Sequence, residues 1–234
     1  MSRRAEIAAG LSAVEERVVR ACAAAGRSRA DVTVVVVTKT FPAADVRLLA
    51  QLGVRDIGEN RDQEAAAKAV ECADLDLTWH FVGQLQTNKA RSVARYAAVV
   101  HSVDRPKLVG ALSAGAAASG RIIGCLVQVS LDEPGIGVGR GGTAPEQAVD
   151  LAGRIADAPG LRLLGVMAVA PIGAADPAAA FDQLAGVAAA IRSGHPAATW
   201  ISAGMSDDLE AAVAAGTTHL RVGTAILGRR PTAG

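Results

Sequence analysis

The stretch Val32-Thr33-Val34-Val35-Val36-Val37-Thr38, running into Lys39-Thr40-Phe41-Pro42, decides the fold. Its residues are β-branched and nearly all apolar, without the polar alternation of a strand that has one wet face. That is the composition of a strand buried on both sides, as in a parallel sheet covered by helices. Upstream, Ile7, Leu11, Val14, Val18 and Cys22 recur every three or four residues, which predicts a helix over Ala5 to Ala25 with Gly26 as its C-cap. Downstream, the two patterns alternate. Strands are expected near 32–38, 54–57, 79–82, 97–101, 122–130, 161–169, 198–202 and 219–222. Helices are expected near 43–52, 60–70, 86–95, 105–118, 144–157, 177–192 and 206–215, with a short helical turn at 223–228. Strict alternation through eight units predicts a single α/β domain over residues 1–234, a closed (β/α)8 TIM barrel with an extra N-terminal helix. A doubly wound open sheet is the competing arrangement.

Composition narrows the function. With 24 Lys+Arg against 23 Asp+Glu there is no global basic field to hold nucleic acid, and 3% aromatics offers little surface for stacking bases. No apolar run approaches the roughly 20 residues that span a bilayer, and no apolar signal core follows the charged N-terminus. The expectation is a cytoplasmic protein with no membrane or nucleic-acid partner. Cys22, Cys72 and Cys125 are too far apart for a zinc site and odd in number, so they are expected as small apolar fillers.

A barrel places its chemistry just after the strands, at the C-terminal mouth, and polar clusters fall there. Lys39 either reaches solvent as an ordinary strand-end lysine or stands partly desolvated, where its free amine attacks an aldehyde. Asn60, in Gly58-Glu59-Asn60-Arg61, either donates to a ligand oxygen or caps the next helix, with Glu64 in its first turn. In His80-Phe81-Val82-Gly83-Gln84-Leu85-Gln86-Thr87-Asn88-Lys89, Gly83 allows close approach of a ligand to the backbone, Gln84 is able to face the mouth, and His80 reads as a satisfied core residue. After the seventh and eighth strands come Ser202-Ala203-Gly204-Met205-Ser206 and Arg221-Val222-Gly223-Thr224. Loops at those two positions bind phosphate in many barrels through backbone N–H groups and hydroxyls; two ordinary tight turns, with Arg221 as an ion-pair partner, are the plain alternative. The glycine-rich run Gly135 to Gly142 lacks the Lys-Ser/Thr of a P-loop and reads as a mobile loop.

Taken together, Thr38-Lys39-Thr40-Phe41-Pro42, Gly58-Glu59-Asn60, Trp79 to Lys89, Gly204-Met205-Ser206-Asp207-Asp208-Leu209-Glu210 and Arg221 to Gly228 resemble the pyridoxal phosphate homeostasis proteins, in order and spacing, from the first helix to the last strand. The resemblance implies an alanine-racemase-like barrel without that enzyme's C-terminal β domain. It implies pyridoxal 5′-phosphate (PLP) held covalently as a Schiff base on Lys39, with Asn60 and Gly83 beside the cofactor. It implies phosphate contacts from Ser202, Gly204, Ser206, Arg221, Gly223 and Thr224, some through backbone alone. It implies a vitamin B6 homeostasis role, buffering PLP or delivering it to apo PLP-dependent enzymes, without established turnover. A monomer is expected, because the missing domain is where racemase relatives make much of their dimer contact. The sequence departs from the family pattern at Thr38 (commonly Ser), Gln84 (frequently His), Ala203 (commonly Met) and the glycine-rich 133–142 segment.

A PLP-dependent amino-acid racemase or lyase is the competing function. Racemisation needs acid–base groups on both faces of the substrate. Lys39 serves one face; the sole tyrosine, Tyr96, is expected late in a helix, away from the strand ends. No Asp or Glu stands at strand seven or eight to charge the pyridine nitrogen, so a weaker electron sink is expected.

Overall fold

A computed structural model describes residues 1–132, 140–171 and 176–228. Eight strands, β1 (Thr33–Val37), β2 (Asp56–Glu59), β3 (Thr78–Phe81), β4 (Val99–Val103), β5 (Ile123–Gln128), β6 (Leu161–Met167), β7 (Trp200–Ser202) and β8 (His219–Val222), close into a barrel in chain order. Every neighbouring pair is parallel, including β1 with β8, where Val35 faces Arg221 and Val36 faces Val222. Closure rules out the open sheet. The helices are α1 (Arg3–Ala24), α2 (Ala43–Gln51), α3 (Asp62–Glu71), α4 (Ala90–Val93), α5 (Pro106–Ser119), α6 (Ala148–Ala156), α7 (Ala178–Gly194), α8 (Leu209–Ala214) and α9 (Thr224–Leu227).

The N-terminal helix ends as its sequence predicts. Gly26 takes a left-handed φ of 64°. Arg27 N–H donates to Cys22 O and Gly26 N–H to Ala23 O, the paired bonds of a Schellman motif. The face carrying Ile7, Val14, Val18 and Cys22 is buried. This helix packs on α8 and α9, and at Gly10 the contact is so close that a Cβ would stand 2.4 Å from Ile226 O. The extra helix thus braces the two units that carry the predicted phosphate loops.

Most boundaries move by a residue or two; α8 starts three residues later than expected, the helix expected over 144–157 opens as a 3-10 turn (Pro145–Gln147) before α6, and one further element changes character more fully. The helix expected over 86–95 is a 3-10 turn (Thr87–Lys89) followed by the four residues of α4. Tyr96 and Ala97 both donate back to Val93 O, which closes the helix and turns the chain into β4. Tyr96 therefore lies just beyond a helix rather than late within one.

Two kinds of group share the barrel interior. Val99, Leu126, Leu164 and Met167 pack together against Trp200. His80, His101, Ser202, His219 and Arg221, from β3, β4, β7 and β8, are buried polar groups. The three cysteines are free and buried, as fillers would be. No helix among the described residues is long and apolar enough to cross a membrane.

Candidate cofactor site

The site begins where β1 runs out. Val35 and Val37 crowd the position a Cβ would take on Gly58, at 3.1 and 3.2 Å. Gly58 lies two residues beyond Asp56, whose carboxylate meets His80 in the lumen, so Val35 and Val37 share the inward face and Lys39 is next in that alternation. Lys39 stands past the strand, on a turn closed by Phe41 N–H donating to Thr38 O at 3.1 Å. It is exposed. Of the two readings of this lysine, the exposure matches the one that reaches solvent and not the partly desolvated one, because the strand stops at Val37 and the lysine stands on the turn beyond it.

That turn is strained and braced. Thr40 has φ of 69°, a conformation costly for a β-branched residue. Its N–H donates to the Glu64 carboxylate. Behind it, Lys68 is only 5% exposed. Its ammonium donates to Thr38 O (2.7 Å), Glu59 Oε1 (2.7 Å) and Glu64 Oε1 (2.8 Å). Burial pushes the Glu59 carboxyl above its ordinary range against the pull of Lys68 and Thr38. For Glu64, the upward push of burial is outweighed by bonds from Lys68 and the Thr40 N–H, so it stays below the usual carboxylate range. One buried cation thus ties together the end of β1, the end of β2 and the start of α3, at the residue that precedes Lys39.

Asn60 follows β2. Helix α3 starts at Asp62 with Arg61 as its cap and no side-chain cap bond, so Asn60 is not a capping residue. Its Oδ1 is buried without a hydrogen-bond partner among the described residues. A native buried acceptor left open in this way suits a ligand donor. The glycines of the site serve close approach of protein to protein. A Cβ on Gly83 would lie 2.2 Å from Asn60 O, so the space read from sequence as room for a ligand is filled by the Asn60 backbone. Gly204 has φ of 89° and is pressed by Ala212 and Leu220. Gly223 sits against Val37 O, which brings the end of β8 beside the end of β1. Ser206 is partly exposed and its carbonyl accepts from Arg17, which also pairs with Glu210 at 2.8 Å. Thr224, exposed, opens α9, whose first amides have no intrahelical acceptor.

Arg221 and Ser202 lie deeper. The Arg221 guanidinium donates to Ser202 Oγ at 2.7 Å and Ala168 O at 2.8 Å. Burial lowers its pKa to about 10, so the group is charged at neutral pH. Ser202 Oγ also meets His101 Nδ1 at 2.9 Å. Both are lumen groups, two residues below Gly223 and Gly204 along their strands, rather than parts of the rim. Seven of the nine residues singled out in the sequence therefore follow the ends of β7, β8, β1, β2 and β3, a continuous arc of the barrel mouth, with Ser202 and Arg221 on the strands beneath it.

The model of the alanine racemase N-terminal domain matches residues 10–231. The pyridoxal phosphate homeostasis protein of Mycobacterium tuberculosis (strain ATCC 25618 / H37Rv) is 41% identical over 244 residues, covering 97% of this chain and 94% of the relative. The chain belongs to the pyridoxal phosphate homeostasis protein family. PipY of Synechococcus elongatus PCC7942, solved with PLP bound, superposes on this family member with a TM-score of 0.82 at 34% identity, covering 95% of this chain and all of that one. The alanine racemase of Streptomyces coelicolor A3(2) shares the fold, with a TM-score of 0.75 at 17% identity over 59% of its own length.

Other features of this homeostasis-family chain lie off the arc or outside it. The Tyr96 hydroxyl faces Asp62 at 3.5 Å, and burial holds its pKa far above the ordinary phenol value. Gln84 is exposed, beside Gly141. Residues 133–139 of the glycine-rich run lie outside the described residues; at its edge Arg140 pairs with Asp132 at 3.0 Å. Sequence reading named Glu64 only as a first-turn residue and missed its pairing with Lys68, although their i,i+4 spacing on a helix is the signal of such a pair. It also missed His101 and Asp56, which carry no local signal at all.

Proposed function

We propose that this protein binds PLP through Lys39 and keeps it available to apo PLP-dependent enzymes, as a cytoplasmic buffer or carrier rather than an enzyme, acting as a monomer. The observation that carries the reading is a lysine at the end of β1, set beside the Gly223 turn, in a chain alike over nearly its full length to named homeostasis proteins. PLP supplies an aldehyde for the Lys39 amine and a phosphate for the rim.

The residues of the arc and the lumen divide that work. Lys39 Nζ is the covalent anchor, and its exposed turn leaves the bond open to exchange. Gly204, Ser206, Gly223 and Thr224 form the phosphate rim, where unpaired backbone N–H groups and hydroxyls meet an anion. Asn60 Oδ1 receives a donor from the cofactor, and Gly83 serves by letting the β3 loop close on Asn60. Ser202 and Arg221 form the floor. A guanidinium there disfavours a second positive charge on a nearby ring nitrogen, which weakens the electron sink that amino-acid chemistry on PLP requires. Reversible holding follows more readily from this arrangement than turnover.

The test is transfer. PLP-loaded protein mixed with an apo-aminotransferase restores its activity faster than PLP released into buffer does, and produces no sustained racemisation or elimination with a panel of amino acids. Turnover above the free-PLP background establishes an enzyme instead.

A further inference from the structure

Polar groups of the lumen form one unbroken hydrogen-bonded chain. Asp56 Oδ1 meets His80 Nε2 at 3.0 Å, His80 Nδ1 meets His101 Nε2 at 2.9 Å, and His101 Nδ1 meets Ser202 Oγ at 2.9 Å. Arg221 Nη1 then reaches Ser202 Oγ at 2.7 Å. These residues come from β2, β3, β4, β7 and β8, so the chain crosses the barrel from one wall to the other. Its two ends are a carboxylate and a guanidinium, and its middle is two imidazoles and a hydroxyl. The His80 ring is flanked by Trp200 at 6.5 Å, which in turn stacks on His219 at 3.8 Å. The chain is thus packed in place by aromatic faces.

The two ends fix the direction of every proton between them. A guanidinium only donates, so Ser202 Oγ accepts from Arg221 and has its own hydrogen to give. A carboxylate only accepts, so His80 carries hydrogen on Nε2. Between the imidazoles one nitrogen must donate and the other accept. His101 is fully buried and burial holds its pKa well below that of a free imidazole, so it bears one proton. With Ser202 donating to His101 Nδ1, that proton sits on Nε2 and points at His80 Nδ1. The opposite direction requires a doubly protonated His80, a buried cation facing another cation across the same lumen, with a carboxylate partner that is 31% exposed.

We propose that Asp56, His80 and His101 are positioning residues for the cofactor site: they polarise Ser202 toward His101 and so hold the Arg221 guanidinium at a fixed place on the lumen floor. None of the three stands at the rim. Their effect reaches PLP only through Ser202 and Arg221, and in that respect the inference rests on the proposed cofactor site. It changes what Ser202 does. The hydroxyl proton is committed to His101, so Ser202 receives Arg221 and does not donate to phosphate.

The test uses full-length protein labelled with 15N at histidine, in which imidazole nitrogen shifts separate bare from protonated nitrogens. At neutral pH, His80 and His101 both show a protonated Nε2 and a bare Nδ1, with or without PLP. Asp56→Ala removes the terminal acceptor; the His80 and His101 signals shift and PLP dissociates about fivefold faster, the effect of one hydrogen bond lost from the chain. Asp56→Asn keeps an acceptor oxygen and restores both the wild-type tautomers and the wild-type dissociation rate. A protonated Nδ1 on His101 in the wild type overturns the direction, and Asp56→Ala with unchanged imidazole signals and unchanged dissociation overturns the coupling. Failure of the wild type to take up PLP at all counts against the cofactor reading instead, and the tautomers still report on the chain.

Discussion

Acidification should destabilise this barrel through its buried imidazoles, starting above the ordinary carboxylate range. His219 is buried, stacked on Trp200 at 3.8 Å and bonded to Thr218 Oγ1 at 2.8 Å. Burial lowers its pKa from 6.5 to about 4. The unfolded chain therefore binds a proton at this imidazole more readily than the folded one. The stability it contributes is complete above pH 6.5 and drains away as pH falls from 6.5 toward 4. Linkage through that interval gives a loss of about 2 kcal/mol by about pH 5 from His219 alone, with a limiting slope of about 1.4 kcal/mol per pH unit. His101, lowered by its own burial, adds loss in the same direction. Glu59, raised by burial, acts in the opposite sense. Comparison with His219→Gln isolates the single group. Urea unfolding at about pH 8 and about pH 5 should show a smaller acid loss in the variant, by about 2 kcal/mol, even though the variant is less stable at pH 8 because it lacks the indole stack. Equal acid losses in the two proteins would falsify the assignment of a buried neutral imidazole at 219.

Lys68→Met strands two carboxylates around a dry position, at an expected cost of about 3–5 kcal/mol, seen as a lowered urea midpoint; adding Glu59→Gln should recover part of it, and full additivity of the two changes would refute the pairing. Gly83→Ala pushes a methyl group into Asn60 O. It should cost about 1–3 kcal/mol and weaken PLP retention by moving Asn60, whereas unchanged retention means Asn60 is not a cofactor contact. Arg221→Gln should weaken PLP retention while the far-ultraviolet circular dichroism stays that of a folded barrel; unchanged affinity removes Arg221 from the site.

The fold was legible because its signals are local. A β-branched run such as Val32–Thr38 and the glycine at position 26 act through their immediate neighbours, and both appear where the pattern puts them. Closure of the barrel follows from the rhythm of such units. The site was legible only as positions along the chain. Lys39 is correctly placed at a strand end, yet its exposure depends on where β1 stops, a matter of one or two residues that periodicity does not resolve. Asn60 reads equally as a cap or a ligand group until the start of α3 at Asp62 frees its side chain. Gly83 shows that a glycine signals close approach without saying what approaches. The lumen chain was not legible, because His101 and Ser202 are 101 residues apart in sequence and meet only once the barrel closes.

The proposed covalent and reversible hold of Lys39 on PLP is open to a direct test. The most direct measurement is the visible absorbance of purified protein incubated with PLP and freed of excess ligand, taken alongside Lys39→Ala. The expected result is a visible band in the wild type that borohydride reduction makes permanent on a peptide containing Lys39, and no such band in the variant. A wild type without the band, or a variant that keeps it, contradicts the account.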